Sequence, residues 1–161
     1  MAWFLIKLSY MRPISPTSYP AHLTADSAET VRILVVDDEP AVLFAYRKLI
    51  EKEGMTVDIS ASLEDAIRQI TACRYLAVIA DMRLAGTDNR DGLEILRHIQ
   101  KERPETKTIL ATGYGDSEIE KSARELGASY YFKKPVSAAD ILRALREFHA
   151  SATHPPVAVP S

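Results

Sequence analysis

Five polar residues in this sequence are of the types that could bind and transfer a phosphoryl group. Three are aspartates, one is a threonine and one is a lysine, and all lie at the ends of short apolar segments: Asp37, Asp38, Asp81, Thr112 and Lys134. A carboxylate can attack phosphorus and form an acyl phosphate, a reaction that depends mostly on positioning and charge neutralisation. Taken one at a time, these residues also have ordinary explanations, because acids often begin helices and lysines often lie on surfaces.

The apolar segments alternate with amphipathic segments five times. The predicted strands are residues 32–36, 55–60, 76–80, 108–111 and 129–133. Helical spacing of apolar residues follows each strand, and the predicted helices begin near Pro40, Ser62, Gly92, Ser117 and Ser137. This alternation favours right-handed crossovers and a parallel sheet with helices on both faces. We therefore predict a doubly wound α/β fold.

The predicted topology brings the five polar residues together. The carboxyl ends of parallel strands meet at one edge of the sheet, where doubly wound folds bind their ligands. Three carboxylates at one place repel one another unless cations share the site. Lys134 supplies one cation, and Mg²⁺ is a candidate for the other because it binds carboxylate and phosphate oxygens.

The segments that carry these residues resemble the receiver domain of bacterial two-component response regulators, the CheY-like fold. The matching segments are VVDDEP (35–40), VIADMRLAG (78–86), DGLEIL (91–96), ILATGYG (109–115) and LGASYYFKKP (126–135). The resemblance covers about residues 31–150 and implies a flavodoxin-like (βα)5 sheet with strand order 2-1-3-4-5. The sequence departs from the family between Asp81 and Gly92, where it is about three residues longer, and we interpret Asp88 and Asp91 there as solvated loop acids.

The resemblance implies a role for each residue of the acidic site. Asp81 would be the phosphoacceptor and would also be a Mg²⁺ ligand. Asp38 would coordinate Mg²⁺ directly and Asp37 would help to hold it. The backbone carbonyl of Arg83 would complete the protein ligands.

Three further residues would bind the phosphoryl group or respond to it. Thr112 and Lys134 would contact the phosphoryl oxygens, and Tyr131 would turn inward behind Thr112 as an aromatic switch. The alternative explanation for Tyr131 is packing in the core. It lies in a run of three aromatic residues (130–132) on a strand, and at least one of their side chains must face a helix because side chains alternate between the two faces.

The function implied by the resemblance is that of a phosphoaccepting receiver. Its partner would be a histidine kinase or a histidine phosphotransfer protein, and residues 116–148 would bind a downstream protein. A homodimer is also consistent with the resemblance. We expect no enzymatic activity beyond its own phosphorylation and dephosphorylation. Two alternatives stay open: a haloacid-dehalogenase-like phosphatase, although Arg83 stands where its second acid is expected, and an unphosphorylated pseudo-receiver used for docking.

Composition excludes several other classes. The 161 residues carry a formal net charge of −2, which argues against nucleic-acid binding through bulk charge. A single cysteine excludes a disulfide framework. We predict disordered, proline-containing extensions at residues 1–30 and 151–161. The apolar start MAWFLIKLSY is too short to cross a membrane and is not a signal peptide, so we expect a cytoplasmic protein without stable membrane insertion.

Overall fold

Five strands and five helices alternate in the computed structural model, which describes residues 30–84, 90–113 and 117–153. The strands are β1 (Arg32–Val36), β2 (Thr56–Ser60), β3 (Ala77–Asp81), β4 (Lys107–Thr112) and β5 (Tyr130–Lys133). The helices are α1 (Pro40–Glu51), α2 (Leu63–Ala72), α3 (Asp91–Glu102), α4 (Ser117–Glu125) and α5 (Ala138–Thr153).

The strands form one parallel sheet in the order β2-β1-β3-β4-β5. The predicted fold class and strand order are therefore confirmed. Strand β3 lies at the centre, between β1 and β4, and its first four residues are buried. This burial explains why its sequence is continuously apolar rather than alternating, since helices cover both faces of the sheet.

Alternate residues of the strands pack into two separate hydrophobic clusters, one on each face. One face packs against α1 and α5, and its buried residues are Ile33, Val35, Leu43, Ile50, Met55, Val57, Ala77, Ile79, Ile109, Ile141, Ala144, Leu145 and Phe148. The other face packs against α2, α3 and α4, and its buried residues are Leu34, Val36, Ala66, Ile70, Tyr75, Val78, Ala80, Met82, Leu84, Leu93, Ile95, Leu96, Ile99, Leu110 and Ala123. The two clusters therefore divide the inward-facing side chains between the two helical layers.

Local hydrogen bonds mark the start of α2 and the end of α5. The Ser62 hydroxyl accepts a hydrogen bond from the backbone N–H of Asp65, as a helix N-cap does. Helix α5 ends at Thr153, three residues beyond the predicted domain boundary at residue 150. The hydroxyls of Ser151 and Thr153 donate to backbone carbonyls four residues earlier, which is compatible with continued helix.

Some predictions concern residues outside the described ranges. These are the extensions at residues 1–29 and 154–161, and residues 87–89 of the extra polar residues Thr87–Arg90 that we predict in the longer stretch between Asp81 and Gly92. Within the part of the chain that the structure describes, no helix has the length and apolar character needed to span a membrane.

Candidate functional site

Three carboxylates meet at the carboxyl edge of the sheet. Asp37 and Asp38 follow β1 directly, and Asp81 is the last residue of β3. The strand runs one residue further than predicted because Asp81 still pairs in register with Ala111 of β4. One carboxylate oxygen from each of the three aspartates lies within 4.8 Å of the others. The convergence predicted from the sequence is thus present in the structure.

Lys134 joins two of these carboxylates. Its Nζ atom lies 2.7 Å from Oδ2 of Asp81 and 3.1 Å from Oδ2 of Asp37. Its backbone N–H donates to the carbonyl oxygen of Thr112 at 2.7 Å, which ties the residue after β5 to the end of β4. The peptide bond between Lys134 and Pro135 is cis. The lysine is therefore held at both its backbone and its ammonium group.

The site is partly shielded from water, and this shapes its electrostatics. The side chain of Asp37 is 4% exposed, that of Asp81 12% and that of Lys134 27%. Burial lowers the pKa of Lys134, but the hydrogen bonds to Asp81 and Asp37 outweigh it, so the pKa lies above its usual value. The ammonium group is therefore fully charged at neutral pH and offsets part of the charge of the cluster.

Backbone hydrogen bonds orient the same two carboxylates. Oδ1 of Asp37 accepts the backbone N–H of Glu39 at 2.9 Å, and Oδ1 of Asp81 accepts the backbone N–H of Arg83 at 3.2 Å. Each carboxylate thus has one oxygen on the backbone and the other on Lys134. Asp38 lies outside the salt-bridge distance of the Lys134 ammonium group.

The donor set fits a hard divalent cation. Three carboxylates supply oxygen ligands, and together with one ammonium they leave a net charge of about −2 at the site if all are ionised. Oxygen ligands with few protein carboxylates and room for water are the arrangement in which proteins bind Mg²⁺. Asp37, Asp38 and Asp81 are therefore the residues that could hold this metal.

The two predicted switch residues lie on the neighbouring strands. Thr112 is buried at the end of β4. Tyr131 of β5 pairs in register with Leu110 and packs against the cluster under α2, α3 and α4. Tyr130 and Phe132 face the opposite layer and stack with ring centroids 5.5 Å apart. Tyr131 thus has the core packing that was its alternative explanation, and its role as a switch stays a prediction.

Two residues near the site were not recognised from the sequence. The interpretation of Asp91 as a solvated loop acid is wrong, because its Oδ2 accepts the backbone N–H of Leu84 at 3.2 Å and it begins α3. One feature of the sequence points to this role: Asp91 stands directly before a glycine at the start of a helix, after the loop that follows Asp81. Asp88 lies outside the described residues.

Tyr46 is the second residue. Its position fits the helical spacing of apolar residues in α1, and it packs against the cluster under α1 and α5. Burial raises the pKa of its phenol, the charge of Lys134 lowers it, and the charges of Asp37 and Asp81 raise it. The pKa of the Tyr46 phenol therefore depends on the charges of the acidic site as well as on burial.

Comparison with known proteins agrees with this geometry. Residues 33–146 match the family described as the response regulator receiver domain. The acid tolerance regulatory protein ActR of Rhizobium meliloti is 32% identical over 124 residues, which cover 77% of this chain and 62% of ActR. The chain therefore spans less than two thirds of the length of that relative.

Solved structures give the same result at the level of the fold. A CheY-like receiver domain protein from Methanospirillum hungatei has a TM-score of 0.71 and 30% identity, over 77% of this chain and 98% of that one. TrrA from Thermotoga maritima, in complex with Mg²⁺-BeF, has a TM-score of 0.64 and 27% identity, over 74% of this chain and 99% of that one.

Proposed function

The chain belongs to the response regulator receiver domain family, and on that premise we propose that Asp81 accepts a phosphoryl group. The observation that carries this proposal is the contact of Lys134 with Asp81 at 2.7 Å, beside Asp37 and Asp38 at the centre of the sheet edge. Asp81 is the acid on the central strand, with a side chain more exposed than that of Asp37.

The step is a transfer between two covalent phosphoryl carriers. A carboxylate oxygen of Asp81 attacks the phosphorus of a phosphohistidine, a new P–O bond forms, and the P–N bond breaks. The imidazole leaves with the electron pair of that bond and takes up a proton. Water later attacks the phosphorus of the acyl phosphate, which returns the Asp81 carboxylate and releases inorganic phosphate.

The residues that would hold Mg²⁺ are Asp37, Asp38 and Asp81, together with the backbone carbonyl of Arg83. When bound, the metal supplies positive charge that offsets the charge of the phosphoryl oxygens and of the attacking carboxylate. The all-oxygen donor set supports this assignment, and so does the Mg²⁺-BeF complex of the related TrrA.

Lys134 and Thr112 would bind the transferred group. Phosphorylation adds about −1.5 to −2 charge at neutral pH and new acceptor oxygens beside Asp81. The Lys134 ammonium already contacts Asp81, so it needs little movement to reach those oxygens. The hydroxyl of Thr112, at the end of the neighbouring strand, would turn toward them.

The switch would then pass to β5 and the helices beside it. The Lys134 N–H is bonded to the Thr112 carbonyl, so movement at the end of β4 is coupled to the end of β5. Tyr131 would follow Thr112, and residues 116–148 would form the surface that binds a downstream protein. A local charge change of this kind can bias a two-state element.

The partner would be a histidine kinase or a histidine phosphotransfer protein, since family membership implies a phosphohistidine donor. A homodimer stays a prediction that sedimentation of the phosphorylated and unphosphorylated forms can test. No observation favours the phosphatase alternative, and Arg83 rather than an acid stands two residues after Asp81.

The test is phosphoryl transfer from a histidine phosphotransfer protein carrying labelled phosphate. We expect Mg²⁺-dependent transfer to the wild type and none to Asp81→Ala, with Asp58→Ala as a control acid elsewhere in the sheet. Absence of transfer from this donor and from small acyl phosphates would instead support a docking module. Steady hydrolysis of phosphomonoesters would support a phosphatase.

A further inference from the structure

The peptide group between Arg83 and Leu84 is held in a defined orientation. Its carbonyl belongs to Arg83 and its N–H belongs to Leu84, and that N–H donates to the Asp91 carboxylate at 3.2 Å. The peptide bond is trans, so the carbonyl and the N–H point in opposite directions. The Asp91 carboxylate therefore turns the Arg83 carbonyl away from α3.

The same short segment is held at two more points. The backbone N–H of Arg83 donates to Oδ1 of Asp81 at 3.2 Å. The carbonyl of Met82 accepts the N–H of Gly92 at 3.2 Å, and the N–H of Met82 donates to the carbonyl of Ala111 at 2.8 Å. The backbone that follows Asp81 is thus tied to β4 on one side and to the start of α3 on the other.

Gly92 lets α3 come close enough to make these bonds. A Cβ atom at this position would lie 3.0 Å from the carbonyl oxygen of Asp81 and 3.0 Å from Cα of Met82. Both neighbours are backbone atoms, which cannot move aside without displacing the end of β3. The close packing of the helix against the strand end is therefore what brings Asp91 to the Leu84 N–H.

We propose that Asp91 is a positioning residue for the metal site: its carboxylate fixes the Arg83 carbonyl as a Mg²⁺ ligand through the Leu84 N–H. The inference rests on the proposed function, because it assumes that Mg²⁺ binds at Asp37, Asp38 and Asp81. A carboxylate that accepts the N–H also polarises the peptide group and makes its carbonyl oxygen a stronger ligand. Groups that orient metal ligands in this way commonly change metal affinity by about 10–100-fold.

If Asp91 served only to stabilise the start of α3, its replacement would give a different result from the one we expect. Asp91 is an acid in the first turn of α3, where a negative charge favours the helix, and Glu94 is another acid in that turn. Glu94 is exposed and pairs with Arg97, and among the described residues 82–84 after Asp81 it has no hydrogen-bond partner. Glu94→Ala is therefore the matched control for the loss of a first-turn acid.

The experiment is a Mg²⁺ titration of the full chain followed by HNCO spectroscopy. One HNCO signal connects the Leu84 N–H with the carbonyl carbon of Arg83, so it reports directly on the peptide group in question. We expect this signal to move on Mg²⁺ binding in the wild type and in Glu94→Ala with the same Kd. In Asp91→Ala we expect the Leu84 amide proton to shift upfield before Mg²⁺ is added, and the Kd to rise about tenfold or more.

Two further variants keep the inference falsifiable. Asp91→Ser keeps a small polar side chain at the first position of α3 but is one atom shorter than aspartate, so we expect it to give the same result as Asp91→Ala. It replaces the alanine variant if that variant does not fold. Asp91→Asn still accepts the N–H without the charge, and we expect most of the affinity to return. A Kd in Asp91→Ala or Asp91→Ser equal to that of Glu94→Ala would overturn the inference.

The outcomes separate this inference from the function it rests on. If the wild type binds Mg²⁺ and the Asp91 variants bind it equally well, the positioning role fails and the receiver function is untouched. If the wild type shows no saturable Mg²⁺ binding, the metal site and the positioning role fail together. If Mg²⁺ binds as expected and only phosphoryl transfer to Asp81 fails, the proposed function fails and the positioning role of Asp91 still holds.

Discussion

Replacing Asp38 by asparagine should make the metal-free protein more stable. The Asp38 carboxylate lies within 4.8 Å of those of Asp37 and Asp81, and Lys134 forms its salt bridges with the other two acids. Two unit charges at that separation repel by ~0.9 kcal/mol at a dielectric constant of 80 and by ~3.5 kcal/mol at 20. Two acids repel the Asp38 carboxylate and one ammonium attracts it, so the net repulsion is about that of one such pair of charges. We therefore expect Asp38→Asn to raise the free energy of unfolding by about 1–3 kcal/mol.

Urea denaturation in the presence of a chelator measures this gain. Glu39→Gln is the matched control, because it removes an exposed acid from the next position and changes the net charge equally. The control should change the free energy of unfolding by less than about 0.5 kcal/mol. Added Mg²⁺ should then stabilise the wild type and the control, by about 2.7 kcal/mol at a hundred times the Kd, and should not stabilise Asp38→Asn.

Two results would refute the reasoning. If Asp38→Asn is less stable than the wild type in chelator, the Asp38 carboxylate makes favourable contacts that exceed the repulsion. If Mg²⁺ stabilises Asp38→Asn as much as the wild type, the ion is not bound through this carboxylate. Either result would require a different charge arrangement at the sheet edge.

Three further predictions follow from single contacts. Lys134→Met leaves the acids without their cation and should lower the free energy of unfolding in chelator by about 2–3 kcal/mol. This value lies between those for the loss of an exposed and of a buried salt bridge, and an unchanged urea midpoint would contradict it. Gly92→Ala should lower the free energy of unfolding by about 1–3 kcal/mol because of its backbone contacts. At Gly113 an added Cβ would meet no atom of the described residues within 4 Å, its chain neighbours aside, so Gly113→Ala should cost less in the same assay. The nearby Ser60 hydroxyl lowers the pKa of Asp65, and so does the side-chain amide of Gln69, which donates to its Oδ2 at 2.8 Å. The stabilisation from this lowered pKa exists at neutral pH and is lost as pH falls below about 4. Urea denaturation should therefore show a larger effect of Asp65→Asn at about pH 7 than at about pH 3, and equal effects would refute the assignment.

The fold could be predicted because local and long-range signals agree in this sequence. Buried strands such as 32–36 are short β-branched runs, and helix starts such as Ser62 carry their own caps. Parallel topology then places Asp37 and Asp81 at one edge whatever the details of the loops. Strand ends could be predicted only to within a residue, because the pairing of Asp81 with Ala111 depends on the register of a distant strand.

The site could be predicted less completely, for a physical reason. The presence of Asp37, Asp38 and Lys134 follows from topology, whereas the role of Asp91 depends on the orientation of one peptide group. That orientation is set by the packing of α3 against the end of β3 at Gly92, which no periodic pattern encodes. Tyr46 was likewise visible as an apolar position of α1, but the effect of the acids on its pKa depends on how α1 lies on the sheet.

The most direct test of the central claim locates the phosphoryl group chemically. The full chain is incubated with Mg²⁺ and a small acyl phosphate, then treated with borohydride, which reduces an acyl phosphate on aspartate to homoserine, and digested for mass spectrometry. We predict homoserine at position 81 in the wild type, only with Mg²⁺, and none at Asp37 or Asp38. Homoserine at another aspartate, or an unmodified chain with every donor, would contradict the assignment of Asp81 as the phosphoacceptor.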